Sequence, residues 1–93
     1  MKEKEILQQV MSKWGKQEQL FMLIEESAEL ISAINRYVRR RDNSFLELLE
    51  EMADVEILLE QVKMLLCIGL DKYQFTKIKR AKLRRLGKRL QKV

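Results

Sequence analysis

Four carboxylates, in two pairs, are the residues of this chain whose types and spacing best suit chemistry. Glu26 and Glu29 lie in Glu25-Glu26-Ser27-Ala28-Glu29, and Glu51 and Asp54 in Glu50-Glu51-Met52-Ala53-Asp54. Residues three or four apart share one face of an α-helix, so each pair sets two negative charges on one side of an otherwise apolar segment. Like charges at that spacing slightly destabilise an isolated helix, and burying them without partners costs far more. Asp54 sits between Ala53 and Val55 and just ahead of Ile57 and Leu58, in the most apolar part of the chain. Asp is a poor helix-interior residue, and Lys63 is too far along the helix to neutralise it. Charge clusters usually decorate solvated helix faces; the apolar setting of Asp54 argues for a partner here instead. A hard divalent cation held between two helices meets the need, because all-oxygen ligands suit Mg²⁺ or Mn²⁺.

Other chemistries are excluded by absences. The chain has no His, so it has neither His acid–base catalysis nor His-ligated zinc. No GxxxxGK[ST] phosphate loop is present. The lone Cys67, between Leu66 and Ile68, reads as a core residue and cannot form an internal disulfide, which fits a reducing compartment. The N-terminal Met-Lys-Glu-Lys-Glu lacks the apolar core of a signal peptide, and no apolar run reaches the length of a membrane span. A soluble, cytoplasmic protein without membrane contact is expected.

The carboxylates need long helices to hold them. With 93 residues, no proline, three glycines and 46% hydrophobic residues, the chain reads as one all-α domain. A first helix is expected over 3–12, with Gly15 as the break and Trp14 anchoring the turn. The second should span about 16–40, with an apolar stripe of Leu20, Leu23 or Ile24, Ser27, Ile31, Ile34 and Val38. Arg39, Arg40 and Arg41 close it where the helix dipole is negative. Asp42-Asn43-Ser44 forms the turn, and Ser44-x-x-Glu47 has the form of a capping box. The third helix should reach Cys67 or Ile68, with Gly69 as its stop. Its apolar residues form one face (Leu48, Met52, Val55, Leu59, Val62, Leu66) and, with Leu49, Ala53, Ile57 and Met64, extend well around the cylinder. Such a helix needs cover on two sides, which points to oligomerisation. Asp71-x-x-Gln74 resembles a second capping box, opening a fourth helix with Tyr73, Phe75 and Ile78 inward.

The text around the carboxylates resembles a known family. Glu25-Glu26-x-x-Glu29 followed by Glu51-x-x-Asp54, with Trp14-Gly15-x-x-x-Gln19 leading into the first motif, is similar to the EExxE…ExxD signature of the MazG-like all-α nucleoside triphosphate pyrophosphohydrolases. The likeness covers about residues 12–80. It implies hydrolysis of the α–β phosphoanhydride of a (deoxy)nucleoside triphosphate with Mg²⁺, in a role of nucleotide-pool housecleaning. It implies Glu26, Glu29, Glu51 and Asp54 as metal ligands and Glu25 as a water-orienting catalytic residue. It also implies a homodimer or homotetramer in which subunits complete a helical bundle. Glu47 and Glu50, one turn before Glu51 and Asp54, are candidates for extra metal ligands. The phosphoribosyl-ATP pyrophosphatases, of similar size, typically carry a His after the aspartate and a Lys-x-Gly run before the first Glu pair; neither occurs here. The chemistry is physically sound, since polyphosphate hydrolysis asks chiefly for a positioned water and neutralised oxygens, and carboxylate-held Mg²⁺ supplies both. Trp14, Phe21, Tyr37 and Phe45 are the rings available to stack on a base.

Charge is segregated along the chain. Residues 1–71 carry nine Lys/Arg against fourteen Asp/Glu, whereas residues 72–93 carry ten Lys/Arg and no acid. The resemblance implies Lys77, Lys79 and Arg80 as candidates for contacting substrate phosphates; Arg36, seven residues after Glu29, is another and equally suits a salt bridge. The basic helix over 72–92, with Leu83, Leu86 and Leu90 on one stripe, fits packing against the acidic body of a neighbouring subunit. An alternative function is a non-catalytic helical assembly or nucleic-acid-binding module using that helix. Without interleaved aromatics for base stacking, nucleic acid is the less favoured partner.

Overall fold

The computed structural model describes residues 1–39 and 44–92. Its elements are three helices: α1 (Glu3–Val38), α2 (Ser44–Leu66) and α3 (Leu70–Gln91). No strand occurs among the described residues, so the all-α expectation holds. No described helix is long and apolar enough to cross a membrane.

Gly15 departs from helical geometry inside α1, at φ 82° and ψ 171°, where a side chain with a Cβ is strained. The expected break is a kink within one element rather than a loop. The two expected helical segments are thus both present, meeting at Gly15 as the arms of α1, so three elements hold the expected four segments. A straight helix of 36 residues would be about 54 Å long, yet the longest dimension of the molecule is 39 Å. Beyond the kink, residues 3–14 fold back along α2: Glu3, Ile6 and Leu7 adjoin Glu56, Ile57 and Met64, and Val10 and Trp14 adjoin Leu58 and Gln61.

The rest of α1 packs on α2 as an antiparallel pair. Moving down α1, Arg36 meets Glu47, Glu26 meets Glu51 and Asp54, and Gln19 shares a cavity with Gln61. The face that α1 turns inward is the expected one only at Leu20, Leu23 and Ser27, which are half-buried. Gln19, Leu23, Glu26, Leu30 and Ala33 are buried or half-buried, while Ile24, Ile31, Ile34 and Val38 are exposed. Toward the C-terminal half of α1 the inner positions fall one residue before the expected ones, at Leu30 and Ala33 in place of Ile31 and Ile34. On α2, Leu48, Val55 and Val62 are covered as expected, but Met52, Leu59 and Leu66 are exposed. Here Glu51 and Leu58 take the inner positions instead. Both helices are apolar on more than one side, so the stripe's period alone does not select which side packs.

Several end signals also differ from expectation. The turn residues Asp42 and Asn43, with Arg40 and Arg41, lie outside the described residues. Ser44 is already helical and buried, and Glu47 pairs with Arg36 rather than closing a capping box. Helix α2 ends at Leu66, and Gly69 at φ 60° makes the corner as expected. Helix α3 then starts at Leu70, with no side-chain cap from the Asp71–Gln74 pattern. None of its residues is buried; Phe75 turns toward α2, where Lys63 Nζ lies 5.3 Å from its ring centre, whereas Tyr73 and Ile78 are exposed and do not face inward within this chain. Among the described residues the buried apolar ones are Ala33, Leu58 and Val62, whereas large apolar side chains along all three helices are exposed.

Candidate metal centre

The packing of α1 on α2 decides where the carboxylates meet. Glu26 lies on the inner face of α1 and Glu51 on that of α2, and both are half-buried. Asp54, one turn beyond Glu51, stands at the edge of the interface and is exposed. One oxygen from each of Glu26, Glu51 and Asp54 falls within 4.8 Å of the others. Residues 25 positions apart in sequence thus form one acidic cluster.

The electrostatics of the cluster are those of an uncompensated site. Burial, and after it the charges of Glu29, Asp54 and Glu51, holds the Glu26 carboxyl above the ordinary glutamate range. Burial and then Glu29 and Asp54 raise Glu51 in the same way. Glu26 Oε2 and Glu51 Oε2 are both buried without a hydrogen-bond partner. The ion pairs among the described residues are Arg36–Glu47 and Lys63–Glu60, the latter at 3.6 Å, and neither touches the cluster. Buried, unpartnered carboxylate oxygens facing like charges fit a hard cation.

The other sequence candidates divide into those the fold brings near and those it does not. Glu29 is exposed at the edge of the interface, close enough to raise both Glu26 and Glu51, and it lines a recess with Ser32, Arg36 and Glu51. Arg36 therefore adjoins the cluster while its guanidinium is engaged by Glu47, the salt bridge the sequence left open. That pairing occupies Glu47, and Glu50 is exposed and outside the cluster, as is Glu25. Lys77 is exposed on α3, and Arg80 lines a cleft between α2 and α3 with Lys63, Cys67 and Phe75. Neither lies with the carboxylates in this chain.

Two residues beside the cluster escaped the sequence reading as site residues. Gln19 and Gln61 are buried, and both line the cavity that Glu26 and Asp54 border. Gln19 closes the Trp14-Gly15-x-x-x-Gln19 run but as a residue type reads as surface until the partner helix is placed, and nothing in the sequence sets Gln61 apart. Compared with protein-family models, curated proteins and solved structures, the chain matches none. The resemblance to MazG-like enzymes rests on its motif and on nothing further.

Proposed function

We propose that the protein is a Mg²⁺-dependent nucleotide pyrophosphohydrolase, with Mn²⁺ able to substitute, converting a (deoxy)nucleoside triphosphate to the monophosphate and pyrophosphate. The observation that carries this is the convergence of Glu26, Glu51 and Asp54 within 4.8 Å, with no Lys or Arg paired to them among the described residues. Glu26, Glu51 and Asp54 would hold the ion, and Glu29 would join them. When bound, the ion supplies positive charge to phosphate oxygens and makes a coordinated water more acidic. The chain's own part is to fix the carboxylates on two packed helices, so that little reorganisation is needed on reaction. Glu25 is the proposed water-orienting group, one residue before the inner-face Glu26.

A second copy completes the fold in this proposal. A chain whose buried apolar residues are so few, and whose exposed ones run along both faces of α2, leaves more apolar surface in water than a stable monomer tolerates. A homodimer or homotetramer in the cytoplasm is the proposed state.

The test is pyrophosphate release from a panel of NTPs and dNTPs with Mg²⁺, beside Glu51→Gln and Asp54→Asn. Metal-dependent release abolished by both substitutions is the expected outcome. Absence of release from folded protein across the panel with either metal would sink the proposal. The second reading, a helical assembly or nucleic-acid-binding module, draws on α3, whose cations form no ion pair among the described residues. Salt-sensitive DNA or RNA binding lost on deleting residues 82–93 would favour it.

A further inference from the structure

The C-terminal half of α3 carries charge and apolar surface that the proposed activity leaves unused. Residues 72–93 hold ten Lys/Arg and no acid, and none of the cations of α3 forms an ion pair among the described residues. Leu83, Leu86 and Leu90, three and four residues apart, share one face of the helix and are 57%, 51% and 77% exposed. Lys82 and Arg89 flank that face on one side and Arg80 on the other, while Arg84, Arg85 and Lys88 take the opposite side. Helix α2 accompanies only the first part of α3. The cleft between them is lined on the α3 side by residues from Lys72 to Leu83, and Leu86 and Leu90 lie beyond it.

We infer that residues 81–92 form an interfacial helix that lies on an anionic lipid surface, its leucines entering the acyl boundary and its Lys and Arg side chains reaching headgroup phosphates. The inference goes beyond the nucleotide chemistry and does not depend on it. Charge narrows the choice of occupant. Residues 1–71 carry fourteen Asp/Glu against nine Lys/Arg, and four of those carboxylates, Glu26, Glu29, Glu51 and Asp54, are gathered where α1 packs on α2. The remaining ten face nine cations, so the rest of a second copy's body is nearly neutral and supplies no counter-charge for α3. Pairing α3 with its own copy would set like charges side by side. The leucines then decide between polyanions. A nucleic acid would neutralise the cations but leave the leucines in water, and past Phe75 the helix has no aromatic ring on which a base could stack. A lipid interface takes both faces at once, since buried apolar area and attraction to anionic headgroups add. Lys79, in line with the leucines one turn earlier, can lay its stem along the apolar region and keep its ammonium at the phosphates. The expectation of no membrane contact rested on spans and signal peptides, neither of which a helix lying in the interface requires.

The experiment floats the full-length protein with vesicles of phosphatidylcholine alone, and of phosphatidylcholine with about one-third phosphatidylserine, at low salt and at about 0.5 M salt. Expected is binding to the anionic vesicles that falls at the higher salt and is absent from phosphatidylcholine alone. Replacing Leu86 and Leu90 together by Gln keeps helix propensity and every charge, and should weaken that binding about tenfold. Arg84→Gln with Lys88→Gln removes two charges and should weaken it about thirtyfold. None of these side chains is buried, so without vesicles both double variants should melt and sediment as the wild type does. No binding to anionic vesicles overturns the inference. Undiminished binding by the leucine variant overturns it too, because the contact would then be electrostatic alone. Tighter binding to DNA or RNA than to vesicles, indifferent to the leucines, would assign the helix to nucleic acid instead. A leucine variant that sediments as a smaller species would assign that face to a second copy.

Discussion

Replacing Asp54 by Asn should reverse the order of thermal stability between metal-free and metal-loaded protein. Asp54 offers an oxygen within 4.8 Å of Glu26. Two unit charges at that distance repel by about 0.9 kcal/mol at the dielectric constant of water, the appropriate limit because Asp54 is exposed. Asn is nearly isosteric and has similar helix propensity, so the substitution removes the charge and little else. In EDTA, Asp54→Asn should therefore be more stable than the wild type by about 1 kcal/mol, or about 4–8 °C in melting temperature for a domain of this size. With Mg²⁺ at roughly a hundred times its dissociation constant, the wild type gains about 2.7 kcal/mol. The variant, lacking one ligand, gains much less, and the order inverts. Thermal melts followed by circular dichroism, at one fixed protein concentration, read both conditions. A lower melting temperature for Asp54→Asn in EDTA would show that the carboxylate is already satisfied within the protein. Equal Mg²⁺ shifts in both proteins would place the metal elsewhere. Either result refutes the reasoning.

Two further predictions follow from the same geometry. Because Glu26 and Glu51 have raised carboxyl pKa values in the fold, their neutral forms favour folding. The stability they lend is complete below the unfolded glutamate value of about 4.3 and is lost as pH rises through the raised folded values. In EDTA, urea midpoints should fall toward neutral pH more steeply for the wild type than for Glu26→Gln; matching slopes would refute the assignment. Gly15→Ala should destabilise the fold by about 1–3 kcal/mol. An added Cβ meets nothing within 4 Å, so the whole cost comes from the positive φ, and an unchanged melting temperature would mean the kink is not built on that conformation.

What the sequence determined was local. Helical class followed from composition, and the corners at Gly15 and Gly69 followed from the one residue type that tolerates positive φ. The carboxylate pairs shared faces because three-residue spacing on a helix leaves no alternative. Tertiary structure decided the facing. Helix α1 carries apolar residues on more than one side, so a stripe through Ile24, Ile31 and Val38 and a stripe through Leu23, Leu30 and Ala33 satisfy the same period. Contact with α2 selected the second, and with it carried Glu26 inward and left Glu25 outside. The same contact joined Arg36 to Glu47, removing one candidate ligand, and buried Gln19 and Gln61 between the helices. Spacing along a helix is set by the backbone, but rotation about its axis is set only by what packs against it, and the roles of these side chains depend on that rotation.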